Sequence, residues 1–226
     1  MEDWLRLEKE VAWDSYHHFS FDFWRTIAFS NPNFKEARAQ LIIEASNGKC
    51  KQGDVDNAFS HVGTDYNRRM EEEDYLLEPF KLYEKVFDLL EIKNVDVQSF
   101  ANEIDNVFLE NPPLISSGFD TFYKVLIRKN KSISITSNTA FVGGEVITEF
   151  LENIPGYEFD FMLYSNIERV AKPNPGIFER MKARAAELNE IDRSNLNFIH
   201  IGDNVRTDVE GAELANGDGY LIKDYS

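Results

Sequence analysis

Hydrophobic and polar positions follow two rhythms along the chain, one typical of strands and the other of helices. Short apolar runs predict five strands, at residues 16–21, 132–136, 159–163, 197–201 and 220–222. Apolar residues at helical spacing predict the helices between the later strands, at residues 118–129, 141–153, 175–188 and 206–215. Strands that alternate with helices in this way predict an α/β fold, with a doubly wound, mostly parallel sheet covered by helices on both faces.

The stretch between the first and second strands departs from this alternation. Strand-like runs are missing there, and helical patterns occupy residues 34–45, 78–90 and 96–108. Pro79 suits the start of the second of these helices, and Asp96 is a favourable N-cap for the third. Residues 53–74 are polar and charged, and we expect them to form a solvated connector.

These patterns predict the domain organisation. Residues 1–15 carry Trp4, Leu7 and Val11 at helical spacing, which predicts a short N-terminal helical extension that covers part of the core. Residues 16–32 and 114–226 are predicted to form the α/β core, and residues 33–113 a helical insert bounded by proline-containing linkers.

Composition and charge limit the partners of the protein. The 226 residues include 24 basic and 40 acidic ones, which give a net charge of −16 and a sequence pI near 4.7. Nucleic acid and anionic membranes demand a basic face, so we expect neither as a partner. A small phosphorylated molecule is compatible with this charge, because a metal ion and one or two lysines neutralise its phosphate locally. A monomer and a homodimer are both compatible with the acidic surface.

Cysteine content and the first residues bear on location. Cys50 is the only cysteine, which excludes an internal disulfide and suits a reducing compartment. The first ten residues are too acidic and too polar for a secretory signal, and we find no apolar run long enough to span a bilayer. We therefore expect a cytoplasmic protein.

Polar residues follow four of the predicted strands at the point where each strand ends. They are Asp22 and Thr26, then Ser137 and Asn138, then Lys172, and finally Asp203 and Asp208. Because the loops after parallel strands share one edge of the sheet, we expect these side chains to converge on one site.

The residue types in this set point to phosphoryl chemistry. Asp22, Asp203 and Asp208 supply hard oxygen ligands, which suit Mg²⁺. Ser137 and Lys172 supply a hydroxyl and a cation for phosphate oxygens. The Asp22 carboxylate can also attack phosphorus, giving an aspartyl-phosphate that water later cleaves.

The order of these motifs resembles that of the haloacid dehalogenase superfamily, most of whose members are Mg²⁺-dependent phosphatases. The motifs are DFWRT at residues 22–26, TSN at residues 136–138, KPNPGIF at residues 172–178, and GD at residues 202–203 followed by Asp208. The resemblance covers the chain from about residue 16 onward. It implies that residues 33–113 are the helical cap of the family, which supplies substrate specificity.

The resemblance also implies roles for individual residues. Asp22 is expected to be the nucleophile, with Thr26, Ser137, Asn138 and Lys172 binding the phosphate and Ser137 and Lys172 also taking part in catalysis. Mg²⁺ is expected to bind Asp22, Asp203 and the backbone carbonyl of Trp24, with Asp208 as a direct or indirect ligand.

One position departs from the phosphatase pattern of the family. The second aspartate of the first motif, the general acid and base in the phosphatases, is replaced by Trp24. An indole cannot take either role, although its backbone carbonyl can still bind a metal. General acid–base catalysis typically contributes ~10²–10⁴ in rate, so we expect weak or selective activity on ordinary alkyl phosphates.

Three functions stay open on the sequence alone. The first is a Mg²⁺-dependent hydrolase that acts on a small phosphorylated molecule. The second is a catalytically impaired protein of the same fold that binds a ligand. The third is a dehalogenase, although the dehalogenases of the family work without Mg²⁺ and lack the aspartate pair of the fourth motif. The role of Arg25 also stays open, since it faces either ligand or solvent, and one of His17 and His18 is expected to face the core.

Overall fold

A computed structural model describes residues 1–223 of the chain. The first half contains α1 (Glu2–Glu10), β1 (His18–Phe21), β2 (Ala28–Phe29), α2 (Pro32–Ala45), α3 (Gln52–Glu73), α4 (Pro79–Leu89) and α5 (Val97–Glu110). The second half contains β3 (Leu114–Ile115), α6 (Ser117–Arg128), β4 (Ser132–Ser137), α7 (Gly144–Glu152), β5 (Phe161–Tyr164), α8 (Ser165–Glu168), α9 (Pro175–Leu188), β6 (Phe198–Gly202), α10 (Gly211–Leu214) and β7 (Asp218–Leu221).

Five of these strands form one parallel sheet with the order β5-β4-β1-β6-β7. The first strand therefore lies at the centre, with Phe21 level with Ile135 on one side and Ile201 on the other. The chain builds outward from β1 in one direction and then in the other, which leaves a crevice beyond the carboxyl end of β1. The prediction of a doubly wound, parallel α/β sheet is confirmed.

The two faces of β1 are chemically different. Phe19 and Phe21 point to one face, where Phe21 packs against Trp4 of α1 and Phe119 of α6, with ring centroids 6.3 and 5.4 Å away. Trp4 is only 2% exposed, so α1 covers the core as predicted. Gly118 permits this close packing, because a Cβ atom there would lie 2.1 Å from the Trp4 ring.

The other face of β1 is polar although it is buried. His18 is fully buried, with its ring nitrogens 2.8 Å from the Ser132 hydroxyl and 2.7 Å from the Ser134 hydroxyl. His17 is exposed, and its Nδ1 accepts a hydrogen bond from the backbone of Asn197. The expectation that one of this histidine pair faces the core is thus confirmed, because neighbouring strand residues point to opposite faces.

We expect His18 to make the protein sensitive to acid. Burial, with a smaller contribution from His200, lowers the pKa of His18 to about 3. The unfolded chain therefore binds a proton below the ordinary pKa of 6.5 that the folded protein does not bind, and stability falls as pH drops from there towards 3. At about pH 5 the loss of stability that His18 causes reaches about 2 kcal/mol.

Urea unfolding of a His18→Asn variant checks this expectation. Between about pH 7.5 and pH 5 the variant should lose less stability than the wild type, by about 2 kcal/mol. His17→Asn is the matched control and should follow the wild type. Parallel pH profiles of the wild type and His18→Asn would contradict the assignment.

The segment between β2 and β3 is helical, and one of its helices was missed from the sequence. The prediction of a polar connector at residues 53–74 is wrong, because α3 spans most of it as a 22-residue helix. Its buried residues recur every three or four positions, as Val55, Ala58, Val62, Tyr66 and Met70. The charged residues around them hide this pattern when only local polarity is considered. Asp96 does cap α5 as predicted, since its side chain accepts a hydrogen bond from the Ser99 N–H group.

A two-stranded antiparallel ribbon lies where the chain enters and leaves this helical segment. In the ribbon Ala28 pairs with Ile115, and Phe29 with Leu114. Its strands are two residues long, which is too short for a periodic pattern to show. Aromatic contacts connect the helical segment with the α/β part, since the ring centroids of Phe108 in α5 and Phe150 in α7 lie 6.1 Å apart. The division into a core and a cap at residues 33–113 stays a prediction.

Smaller differences concern where elements begin and end. The helix predicted at residues 141–153 begins only at Gly144, and the helix predicted at 206–215 starts as a π-helical turn at Val205–Glu210 before α10. The short helix α8 had no sequence signal. Residues 224–226 of the predicted core lie outside the described residues. None of the helices among residues 1–223 combines the length and the apolar character that crossing a membrane requires.

Candidate active site

Asp22 lies at the carboxyl end of β1, in the crevice between the two halves of the sheet. Its N–H group donates to the Ile201 carbonyl at 2.9 Å, which holds the residue in line with β6. Its side chain lines a cavity but is largely buried, with the whole residue 7% exposed. The Lys172 ammonium donates to the carboxylates of Asp22 at 2.7 Å and of Asp208 at 2.6 Å. One buried cation thus joins two buried carboxylates.

Asn138 positions the loop that carries Lys172. The Asn138 side-chain oxygen accepts from the Lys172 N–H group, and its amide nitrogen donates to the Lys172 carbonyl, both at 2.8 Å. The loop between α8 and α9 is thereby fixed to the end of β4. The sequence predicted that Asn138 contacts phosphate; the structure shows that its side chain anchors the lysine loop from the cavity wall.

The turn after β6 brings Asp208 back to the site. The second carboxylate oxygen of Asp208 accepts from the Asn204 N–H group at 2.9 Å. Asn204 in turn caps the π-helical turn by accepting from the N–H groups of Arg206 and Thr207. Gly202 makes this return possible, because a Cβ atom at that position would lie 2.1 Å from the Asp208 side chain.

His200 belongs to this cluster, although the sequence analysis did not identify it. Its Nε2 lies 3.3 Å from an Asp208 oxygen and 3.4 Å from the Lys172 nitrogen, and its Nδ1 lies 3.0 Å from the Ser20 hydroxyl. The Ser20 hydroxyl donates onward to Thr136 at 3.0 Å. A histidine inside an otherwise apolar strand, two residues before Gly202, was the available signal.

Burial and neighbouring charges shift the pKa values of these groups. Burial raises the pKa of Asp22 to about 7; Lys172 opposes that shift, and Asp208 adds to it. Burial also acts to raise the pKa of Asp208, but Lys172 and His200 outweigh it and hold the pKa below its usual value. Burial acts to lower the pKa of Lys172, yet the two carboxylates raise it, so the ammonium stays charged. Burial lowers the pKa of His200 to about 4, which keeps that ring neutral.

Three carboxylates in this cluster fit a divalent cation. Oxygen atoms of Asp22, Asp203 and Asp208 lie within 4.8 Å of one another, close enough to share an ion. The backbone carbonyl of Trp24, two residues after Asp22, offers a fourth oxygen. The described backbone hydrogen bonds of the turn after β1 are accepted by the Phe23 and Ala28 carbonyls and not by the Trp24 carbonyl. An all-oxygen set with several carboxylates is the type that binds Mg²⁺.

The two residues after Phe23 line the cavity. Arg25 has a left-handed backbone with φ of 61°, a conformation in which glycine is favoured, and its Nε lies 3.2 Å from an Asp203 oxygen. Arg25 therefore contacts a site carboxylate as well as solvent. The Trp24 ring packs edge-on against Phe23 and Phe108, with centroids 4.9 and 6.1 Å away. Trp24 also forms part of the cavity wall.

Two of the predicted phosphate ligands do not line the cavity. Ser137 is fully buried, and its hydroxyl donates to the Asn138 carbonyl at 3.2 Å. Among residues 1–223 the buried Thr26 hydroxyl has no hydrogen-bond partner. Thr139 does line the cavity, but its N–H group donates to the Ser165 hydroxyl at 2.9 Å.

The cavity itself lies between the sheet edge and the helical segment. It has a volume of about 350 Å³, and the helices contribute Phe34 and Arg38 from α2 and Met70 from α3. Asp22 and Lys172 form its floor on the side of the sheet. Asp22, Lys172 and Asp203 are thus accessible from a space of small-molecule size.

Comparison with known proteins agrees with this architecture. The sequence profile of a family described as HAD-hydrolase-like, where HAD denotes haloacid dehalogenase, matches residues 169–224. The putative HAD hydrolase YfnB from Bacillus subtilis, bound to magnesium, is similar in structure with a TM-score of 0.68 and 19% sequence identity over 92% of this chain and 88% of that one. The chain has the haloacid dehalogenase-like fold.

Further structures share the haloacid dehalogenase-like fold with this chain. The 2-haloacid dehalogenase from Pseudomonas syringae has a TM-score of 0.60 and 19% identity over 92% of this chain and 86% of that one. A putative β-phosphoglucomutase from Thermotoga maritima has a TM-score of 0.61 and 15% identity, covering 91% of this chain and 84% of that one. No curated protein matches the sequence significantly. The four sequence motifs therefore identified the fold correctly. Sequence identities this low show a shared fold and do not show a shared activity.

Proposed function

We propose that the protein is a Mg²⁺-dependent hydrolase of a small phosphorylated molecule, with Asp22 as the nucleophile and weak or selective turnover. The observation that supports this most is the convergence of Asp22, Asp203, Asp208 and Lys172 at one end of the cavity. Three acids and one lysine at a parallel sheet edge suit a phosphate and its counterion.

In the proposed reaction the Asp22 carboxylate attacks phosphorus and the bond to the leaving oxygen breaks. Water then cleaves the aspartyl-phosphate, which restores the carboxylate and releases inorganic phosphate. Lys172 orients the Asp22 carboxylate through its 2.7 Å contact and offsets phosphate charge. Bound Mg²⁺ would supply charge compensation for the transferring phosphoryl group.

The buried carboxylate must be ionised to attack. Because burial raises the pKa of Asp22 to about 7 in the absence of a metal, part of the protein holds a protonated Asp22 near neutrality. Asp203 and Asp208 offer oxygen atoms within 4.8 Å, so a divalent cation shared among them favours the ionised form. Turnover is therefore expected to require the cation for the nucleophile as well as for the phosphate.

Trp24 decides which phosphates turn over readily. Its side chain carries an N–H donor and no group that exchanges a proton near neutral pH, and it lies in the cavity wall. The departing oxygen must therefore leave as an anion or take its proton from water. Acyl phosphates meet this condition because a carboxylate is a good leaving group, whereas alkoxides are poor ones.

The similar structures support this proposal more than they support a binding protein or a dehalogenase. YfnB is described as bound to magnesium, and a protein from Haemophilus somnus with a TM-score of 0.60 and 13% identity is described as a predicted phosphoglycolate phosphatase. The Pseudomonas syringae neighbour is a dehalogenase. The carboxylate cluster of Asp22, Asp203 and Asp208 favours the cation-dependent reaction over dehalogenation here.

Hydrolysis of two phosphoryl donors tests the proposal. Purified protein is incubated with acetyl phosphate or ethyl phosphate, in the presence of Mg²⁺ or of EDTA, and released phosphate is measured. We expect Mg²⁺-dependent turnover, with acetyl phosphate favoured over ethyl phosphate by about 10²-fold or more beyond their uncatalysed difference. Turnover that persists in EDTA would contradict the metal assignment. Binding of Mg²⁺ and phosphate without turnover of either donor would favour a binding protein.

A further inference from the structure

Arg38 occupies a place in the cavity that the proposed reaction does not use. It lies on α2, one helical turn after Phe34, and lines the same cavity as Asp22. Its guanidinium carbon lies 3.8 Å from the centre of the Phe59 ring, with the Phe34 and Phe141 rings at 5.2 and 5.6 Å. Cation–π contacts with three rings thus hold the group in place.

The charge of Arg38 lacks an acidic partner within residues 1–223. Its Nε atom is buried and makes no hydrogen bond, and no ion pair of the described chain includes it. The other cations of the cavity are different: Lys172 binds Asp22 and Asp208, and Arg25 contacts Asp203. A guanidinium held against aromatic rings is partly desolvated, so an anion that reaches it gains more than it would in water.

We propose that Arg38 binds a second anionic group of the substrate, a carboxylate or a phosphate, and thereby selects substrates that carry one in addition to the phosphoryl group at Asp22. This inference rests on the proposed function for the position of the phosphoryl group. The planar fork of a guanidinium matches the two oxygens of either anion. A volume of about 350 Å³ accommodates a small molecule that reaches from Asp22 to Arg38.

The remaining cavity wall suits a short carbon chain between the two anions. Trp24, Met70 and Val142 line it along with the rings of Phe34 and Phe141. These five side chains carry no charge, and the charge of Glu71, an acid of α3 that also lines the cavity, is partly offset by Arg206. The substrate class that fits is a small phosphate monoester or acyl phosphate with a terminal carboxylate or second phosphate.

Calorimetric titration of phosphonates tests the inference without requiring turnover. The probes, in the presence of Mg²⁺, are propylphosphonate, phosphonopropionate, whose terminal methyl group is replaced by a carboxylate, and trimethylene bisphosphonate, which carries a second phosphonate. We expect at least one of the two probes with a second anionic group to bind about 10-fold tighter than propylphosphonate, because a charge-assisted hydrogen bond adds that much. Which of them binds tighter distinguishes a carboxylate from a phosphate as the second group.

Variants on one helix then assign the preference to Arg38. Arg38→Met keeps the side-chain length and removes the charge, and it should reduce the preference to within about 2-fold while changing propylphosphonate affinity little. Arg38→Lys keeps the charge without the fork and should retain part of the preference. Lys35→Met, on the exposed side of the same helix, is the matched control and should leave all three affinities unchanged.

The outcomes separate this inference from the proposed function. Equal binding of the three probes by the wild type, or a preference that survives in Arg38→Met, overturns the role of Arg38. If Arg38→Met does not fold, the wild type and Arg38→Lys still test the role of Arg38. A preference that is undiminished in Arg38→Lys would contradict a contact between the planar guanidinium and the second anion. Failure of the proposed function shows instead as absent acetyl phosphate hydrolysis together with a normal probe preference.

Discussion

Asp22→Asn is expected to abolish Mg²⁺-dependent hydrolysis of acetyl phosphate, with a loss on the order of 10³-fold or more. The substituted side chain has the same size but no longer offers an anionic oxygen for attack on phosphorus. Asp22 also contributes an oxygen to the cluster with Asp203 and Asp208, so Mg²⁺ binding should weaken as well. Phosphate release under saturating donor, together with Mg²⁺ titration, measures both effects.

The variant should nevertheless fold. The introduced amide replaces a carboxylate whose burial is unfavourable, since burial raises the pKa of Asp22 to about 7. Thermal unfolding without metal should therefore show little loss of stability near neutral pH. Asp14→Asn, an exposed aspartate outside the cavity, is the matched control and should keep full activity. Undiminished turnover in a folded Asp22→Asn variant would remove Asp22 from the nucleophile role.

Lys172→Met is expected to lower the free energy of unfolding by about 3–5 kcal/mol at about pH 8 without Mg²⁺. Lys172 is 1% exposed and bonds the carboxylates of both Asp22 and Asp208, so its loss leaves two buried anions side by side. Removing one partner of such a cluster costs the desolvation of the charges that remain. Urea unfolding measures the change.

The pH dependence of this loss follows from the pKa of Asp22. In the wild type that pKa is raised to about 7, and without the lysine, which opposes the rise, it moves higher still. At about pH 5 the Asp22 side chain is then protonated in the folded variant, the repulsion disappears, and the stability loss becomes smaller. Added Mg²⁺ should also recover part of the loss at pH 8 by replacing the missing positive charge.

Lys182→Met provides the matched control for burial of a lysine. Lys182 is 9% exposed, but its ammonium donates to the Ala215 carbonyl at 2.9 Å and lies 3.7 Å from Glu179, whose side chain is half-exposed. Because no buried anion depends on it, we expect a loss of only about 1 kcal/mol that changes little between pH 5 and pH 8. Equal losses for Lys172→Met and Lys182→Met would show that the buried carboxylates do not depend on Lys172.

Much of the fold was predictable because its strands and helices differ in period. The apolar runs of β1, β4 and β6 and the helical spacing of α9 identify the parallel sheet. The pattern failed for α3, whose buried stripe lies among charged residues, and for the ribbon of β2 and β3, whose strands are only two residues long. Both failures concern elements whose neighbours in space, rather than in sequence, stabilise them.

The sequence by itself determined the sheet, the fold and the acids at the edge of the sheet. An aspartate that directly follows a buried parallel strand must lie at the carboxyl edge of that sheet. The sequence also predicted that Trp24 stands where the phosphatases of the haloacid dehalogenase superfamily have an acid. Only the tertiary structure decided how the polar residues share their hydrogen bonds. Asn138 holds the Lys172 loop, and the buried Ser137 hydroxyl donates to the Asn138 carbonyl.

The tertiary structure also decided which distant residues join the site. His200 meets Asp208 and Lys172 only because the turn after Gly202 folds back over β6. Arg38, 16 positions after Asp22 in the chain, reaches the cavity only because α2 packs against α3 and α5 beside it. Local spacing fixes a residue's element and its face, whereas a contact between elements depends on how their surfaces pack, which no local pattern encodes.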